Sequence, residues 1–202
     1  MSRLSEKPPR DLAARESPEF SLEQRQALLS IAHAAILCGL EGRSFPDATP
    51  EQPGLAEKRG VFTTLYRDGE LRGCVGYAEP VAPLYRAVAE SAQAAAFEDS
   101  RFLPVAAEEV PQLEVSLSVL TRLFPIQPEA VEVGRHGLVI SQGSRRGLLL
   151  PQVPGEHGWG REMFLEQTCR KAGLPVDAWR KGATIEAFTA EVFSDADTGV
   201  AR

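Results

Sequence analysis

Gly60-Val61-Phe62-Thr63-Thr64-Leu65-Tyr66-Arg67-Asp68-Gly69-Glu70-Leu71-Arg72-Gly73-Cys74-Val75-Gly76 reads as a β-hairpin, and it decides the fold class. The first limb is rich in β-branched and aromatic residues, and Asp68-Gly69 is a two-residue turn signal. With that turn, Arg67 faces Glu70, Leu65 faces Arg72 and Thr63 faces Cys74. Arg72 and Cys74 then share one strand face, while Phe62, Tyr66, Leu71 and Val75 share the other. The Arg72/Cys74 face is expected to be the less apolar one, beside a cleft.

The return limb puts a cation, a thiol and two glycines into six residues, Leu71 to Gly76. A guanidinium beside a thiol favours the thiolate, the reactive form of cysteine. Gly73 and Gly76 let a ligand or another backbone approach closely. A plainer reading is a small cysteine packed into a tight hairpin, its glycines serving helix–strand contact. Arg72 is harder to place that way, because a buried arginine needs paired acceptors.

The flanking sequence alternates helices with further hairpins. Ser21 and Gln24 make a capping-box pattern for a helix over 21–38, with Leu22, Leu29, Ala32, Ile36 and Leu40 as its apolar stripe and Gly39 as its stop. His33 sits beside that stripe and reads as a satisfied helix histidine. Residues 41–59 form a long loop rich in proline and glycine. Pro83 opens an alanine-rich helix over 83–97, suited to lying close on a sheet. Glu98-Asp99-Ser100-Arg101-Phe102 closes it, with Arg101 as a second cation for an anionic ligand or as a salt bridge or cap. Residues 114–119 alternate as a strand, and Gly137–Ile140 and Arg146–Leu150 flank a second turn. A loop over 154–159 holds Glu156, His157 and Trp159. It leads into a helix over 161–172, and a last strand spans 184–193. Hairpins dominate, so the fold class is α+β with a largely antiparallel sheet and flanking helices, and the length fits one large domain or two small lobes. Residues 1–19 read as a flexible arm, 20–193 as the folded domain and 194–202 as a disordered tail.

Composition narrows the function classes. The chain has 202 residues, 43% of them hydrophobic and 25% charged, as in an ordinary globular protein. A net charge of −6 argues against non-specific nucleic-acid binding. No apolar run approaches the roughly 20 residues of a membrane helix. Three cysteines without C-x-x-C spacing argue against a disulfide framework and for a reducing, cytoplasmic location. There is no Walker loop and no Gly-x-Gly-x-x-Gly after a strand. Gly143-Ser144-Arg145-Arg146-Gly147 puts its serine one place too early for a nucleophile elbow, and a strand follows it, not a helix. No two histidines share metal-binding spacing, so no metal is assigned. A composite zinc site from Cys74, His157 and a carboxylate is the one arrangement that spacing leaves open. No cofactor is assigned.

Several segments together resemble one family. They are Gly60-Val61-Phe62 to Leu65, Leu71–Gly76, Asp99-Ser100-Arg101-Phe102, Arg146-Gly147-Leu148-Leu149-Leu150-Pro151-Gln152-Val153 and Glu156-His157-Gly158-Trp159. Phe164-Leu165 to Cys169, Lys171–Pro175 and Trp179 complete the set. Their order and spacing resemble the AMME-chromosomal-region protein family, known in prokaryotes as AmmeMemoRadiSam system protein A. The resemblance covers roughly residues 20–193. It implies a two-lobed α+β fold and the company of a Memo-like protein and a radical-SAM protein, and it names no reaction. Val75 replaces the commoner isoleucine, Gly160 stands where an aspartate often follows the tryptophan, and Leu103 replaces a proline.

Two functional readings follow. In the first, the protein is an enzyme or an enzyme's acceptor subunit. Cys74 is its nucleophile or modified thiol, Arg72 activates the thiol or holds an anion, and Glu156 or His157 is the acid–base partner. In the second, it is a binding or adaptor module without chemistry, in which Arg72, Arg101 and Arg146 line a pocket for an anion or an acidic segment.

Overall fold

The computed structural model describes residues 18–46 and 50–199. Along the chain run α1 (Leu22–Leu40), β1 (Val61–Arg67), β2 (Glu70–Tyr77), α2 (Leu84–Phe97), β3 (Leu113–Leu120), β4 (Phe124–Pro125), β5 (Gly137–Gln142) and β6 (Arg145–Leu149). They are followed by α3 (Val153–His157), α4 (Arg161–Lys171), β7 (Thr184–Phe188), β8 (Ala190–Ser194) and α5 (Asp195–Thr198). The strands form two antiparallel four-stranded sheets, so the fold is α+β.

The described residues divide into two compact units, the first made of those up to Leu120 together with those from Ala190 onward, the second of Thr121–Thr189. The first unit carries the sheet β2-β1-β3-β8 with α1, α2 and α5. Its core joins Leu28, Leu29 and Ile36 of α1 to Val88 and Ala92 of α2 and to Val61, Leu65, Val115 and Leu117 of the sheet. The second unit carries the sheet β4-β7-β5-β6, with α4 packed on β5 and β6 around Phe164, Leu138 and Ile140. The strand expected over 184–193 is two strands. It is interrupted at Thr189, and its halves join different sheets.

The capping box at the start of α1 is present: Gln24 N–H donates to the Ser21 hydroxyl and Ser21 N–H to the Gln24 side chain. Gly39, expected as the stop, lies inside the helix, which runs on to Leu40. Its value is in packing, since a Cβ there would sit 2.4 Å from the Phe97 ring of α2. The loop expected over 154–159 contains α3, a short helix ended by Gly158 in the left-handed region. The tail expected from 194 is ordered as far as 199. Ser194 and Asp197 form a capping box, and buried Asp195 accepts the Val115 N–H at 2.8 Å and binds His33 Nε2 at 3.0 Å. Glu19 is likewise fixed, its N–H donating to Glu191. Residues 1–17 and 200–202, the rest of the expected arm and tail, lie outside the described residues.

The first hairpin turns at Asp68-Gly69 as expected, but its register does not stay in step. Tyr66 pairs with Leu71 and Leu65 with Gly73, so Arg72 is an extra residue in a bulge. Thr64, not Thr63, then pairs with Cys74, and every later residue of β2 changes its partner. Val61, Thr63, Leu65 and Gly73 are buried, and Val75 packs against the same core. Phe62, Thr64, Tyr66 and Cys74 are half-buried on the other face. The physical cause is α2. It leaves room for a glycine and a valine but none for a guanidinium, so the bulge steers Arg72 out of the core.

Candidate functional site

Residue 74 lies at the middle of an edge strand, since β2 is the outermost strand of its sheet. Its unpaired backbone groups are covered by the segment that leaves α2. The Cys74 N–H donates to Asp99 Oδ2 at 2.8 Å, and the Cys74 carbonyl accepts from Arg101 Nη2 at 3.4 Å. Arg101 grips Asp99 with Nε at 2.9 Å and Nη2 at 2.7 Å. The Asp99–Arg101 pair thus does what a neighbouring strand would do, offering one acceptor and one donor to the edge. The Asp99 carboxylate is 7% exposed. Arg101 holds it well below the usual carboxylate range, with help from the N–H groups of Cys74 and Arg101, and Asp99 raises Arg101 in return.

Arg72 meets a second carboxylate. Its Nε and Nη2 bind the two oxygens of Glu109 at 2.9 Å each, a bidentate fork, and Nη2 reaches the Pro104 carbonyl at 3.4 Å. Arg67 joins the same carboxylate, and Glu109 also accepts the Ala106 N–H at 2.8 Å. Glu109 is lowered to about 2, chiefly by the hydrogen bonds from Arg72. The guanidinium carbons of Arg72 and Arg101 lie 6.0 Å and 5.4 Å from the Phe102 ring. Residues 99–109 are therefore bound to β2 by four charged side chains.

The thiol itself is half-buried, and the Thr64 hydroxyl donates to Sγ at 3.3 Å. Cys38 and Cys169 are buried, and burial pushes the Cys169 thiol up. The two glycines are filled from inside the protein. A Cβ at Gly73 would lie 2.1 Å from the Ala95 carbonyl oxygen of α2, and one at Gly76 would lie 2.3 Å from the Val61 carbonyl oxygen. The close approach that the sequence required is thus made by the protein's own backbone.

Arg72, Cys74 and Arg101 belong to the first unit, whereas Arg146, Glu156 and His157 belong to the second. Glu156 and His157 are exposed on α3, and the His157 ring stacks on Trp159 with centroids 4.5 Å apart. Arg146 is exposed on β6. Asp99, Glu109 and Thr64 were not among the residues expected at the site. The signal for the two carboxylates was indirect: a buried arginine demands an acceptor, but not one at any given separation. Among the described residues, no group of three or more His, Cys, Asp or Glu side chains is placed to hold a metal ion. No helix among them is long and apolar enough to cross a membrane.

With this geometry in view, comparison with known proteins is decisive on kinship. The AMMECR1 family model matches residues 29–193. The chain belongs to the AMMECR1 family. Among AMMECR1-like relatives, Protein MK0488 of Methanopyrus kandleri is 43% identical over 188 residues, covering 88% of this chain and 91% of that one. A protein of Thermococcus gammatolerans is 48% identical over 162 residues, covering 74% and 78%. The crystal structure of the uncharacterized protein PH0010 from Pyrococcus horikoshii is similar with a TM-score of 0.59 at 41% identity, covering 84% of this chain and 90% of that chain. None of these names states an activity, so the AMMECR1 assignment fixes ancestry and fold while leaving the chemistry to the site.

Proposed function

We propose that this AMMECR1-family protein is a thiol-bearing enzyme or acceptor subunit centred on Cys74, acting in the cytoplasm with a Memo-like and a radical-SAM partner. One observation carries the reading. The Cys74 backbone is held at both its N–H and its carbonyl by Asp99 and Arg101, while the thiol stays on the less buried face of the sheet with a hydroxyl donated to it. Such a frame fixes the sulfur in place and leaves it approachable, which positioning of a nucleophile requires. The alternative of an arginine-lined anion pocket has less support, because Arg72 and Arg101 have already committed their forks to Glu109 and Asp99.

Iodoacetamide alkylation of the native protein, followed by mass spectrometry of each cysteine, tests this. Sulfur bonds to the acetamide carbon and iodide leaves, so the product is an added carboxamidomethyl group. Cys74 is expected to label first and faster than a free cysteine peptide, with Cys38 and Cys169 as buried references. Thr64→Val is expected to slow Cys74 alone. Labelling of Cys74 no faster than the free peptide would overturn the thiol-centred reading. Failure of a Memo-like and a radical-SAM protein to copurify with the chain would overturn the partnership.

A further inference from the structure

The two hairpins treat their open edges differently. In the first unit, the outward N–H and carbonyl of Cys74 are taken up by Asp99 and Arg101. In the second unit, β6 is the outermost strand of its sheet. The β5–β6 hairpin turns through Gly143 and Ser144, with Gln142 paired to Arg145, Ile140 to Gly147 and Leu138 to Leu149. A ladder closed by a two-residue turn exchanges hydrogen bonds at those pairs, so the N–H and carbonyl groups of Arg146 and Leu148 point away from β5. Among the described residues, no hydrogen bond meets those outward groups.

This open edge is also basic. Arg145, Arg146, Arg170 and Lys171 are all exposed. Packing brings them together. Gly147 lies flush against the end of α4, where a Cβ would sit 2.2 Å from the Ala172 nitrogen, and Arg145 Nη1 donates to the Gly173 carbonyl at 3.0 Å. Arg145 and Gly147 therefore face α4, whose last turn carries Arg170 and Lys171, while Arg146 stands on the opposite face. None of Arg146, Arg170 and Lys171 has an ion pair among the described residues. The cluster stands out because residues 121–189 carry a net charge of +2 while the whole chain carries −6.

We propose that the β6 edge docks an extended acidic segment of a partner protein as an added strand. The partner's backbone would meet the outward groups of Arg146 and Leu148, and its carboxylates would meet Arg146, Arg170 and Lys171. A second copy of this chain is the poorer fit, because pairing two β6 edges would crowd four arginines onto one short ribbon, with the two Arg146 side chains as diagonal neighbours. Such pairing selects for partner charge and for extended conformation at once, which a surface patch alone does not.

The test uses the full chain and a blocked synthetic peptide of about eight residues, a Glu-Glu-Val-Val repeat that presents carboxylates on both strand faces, at about 0.15 M salt. Fluorescence anisotropy should show saturable binding, and amide exchange should slow at Arg146 and Leu148. Arg146→Glu with Lys171→Glu should weaken binding by about tenfold or more and confer binding to the Lys-Val counterpart peptide. No binding by the wild-type protein would overturn the proposal. So would binding that leaves the Arg146 and Leu148 amides unprotected, since that is charge attraction without strand addition. Tighter binding of a single-stranded oligonucleotide than of the peptide would also overturn it, making the patch a nucleic-acid surface.

Discussion

Substituting alanine for Gly73 isolates what the Leu-Arg-Gly-Cys segment does for the fold. The added Cβ would lie 2.1 Å from the oxygen of Ala95, 3.1 Å from its carbonyl carbon and 3.7 Å from its Cα. All three are backbone atoms of α2, so no side chain can rotate out of the way. A relaxed carbon–oxygen contact needs about 3.3 Å, so strand and helix must part by roughly 1 Å. That movement loosens Val88, Ala92 and Ala95, which are buried against the sheet. Overpacking of this kind costs about 1–3 kcal/mol, and an unyielding backbone puts it at the upper end. Gly73 does not occupy the left-handed region, so alanine suffers no conformational strain there. The stiffer unfolded chain returns about 0.4–1 kcal/mol. A net loss of about 2 kcal/mol is expected in urea unfolding followed by far-ultraviolet circular dichroism. Gly155→Ala is the control: nothing lies within 4 Å of its Cβ position, and its φ is ordinary. It should stay within about 0.5 kcal/mol of the wild type. Gly147→Ala repeats the experiment in the second unit, where Trp179 packs on the core and supplies a fluorescence signal. A Gly73→Ala protein as stable as the Gly155→Ala control would refute the packing argument.

Three further outcomes are expected. Glu109 is lowered from 4.5 to about 2 by Arg72, so its contribution to stability is complete above about pH 4.5 and is lost as pH falls towards 2. Glu109→Gln should lower stability at pH 7 by on the order of 2 kcal/mol and flatten that acid limb, which urea titrations at pH 7, 4 and 3 would show. His33→Ala leaves buried Asp195 without its cation-capable partner and should cost about 2 kcal/mol, with faster amide exchange over residues 194–199. Asp99→Ala should destabilise by about 1–3 kcal/mol and Arg101→Ala by less than about 1 kcal/mol in thermal unfolding. The buried carboxylate serves the N–H groups of Cys74 and Arg101 together with the Arg101 guanidinium, whereas the guanidinium itself is half exposed.

Local chemistry was legible in the sequence wherever a few neighbouring residues decide the outcome. The Ser21–Gln24 capping box and the Asp68-Gly69 turn each act within four residues and are where the pattern put them, while Pro83 stands just before α2, not in its first turn. The register beyond the turn was not legible. A bulge at Arg72 is set by what α2 will accept against β2, a contact across more than twenty residues of chain. The same reason hides the acceptors. A buried arginine announces that a carboxylate exists, but Glu109 is 37 residues from Arg72, in a 3-10 turn that no periodicity marks. The anchoring of α5 depends on His33, 162 residues away from Asp195, so a tail was the natural reading of that end.

The pairing of each arginine with its own carboxylate changes what the motif means. Had Arg72 faced a cleft unpaired, an anionic ligand would be the simplest demand of its charge. Instead Arg72 meets Glu109 and Arg101 meets Asp99, and both carboxylates lie in one segment, residues 99–109. A ligand carboxylate or phosphate would have to displace a bidentate partner that is already desolvated, and leave that partner's charge buried. The charges are therefore spent on holding residues 99–109 against the edge of β2. What remains unspent in the hexapeptide is the thiol, together with the buried Nη1 of Arg72, which has no hydrogen-bond partner among the described residues. Cys74 is the one member of Leu71–Gly76 whose polar side chain meets only a neutral hydroxyl on the half-buried face. The arginines are the scaffold of this segment, and the proposed thiol chemistry rests on that sulfur.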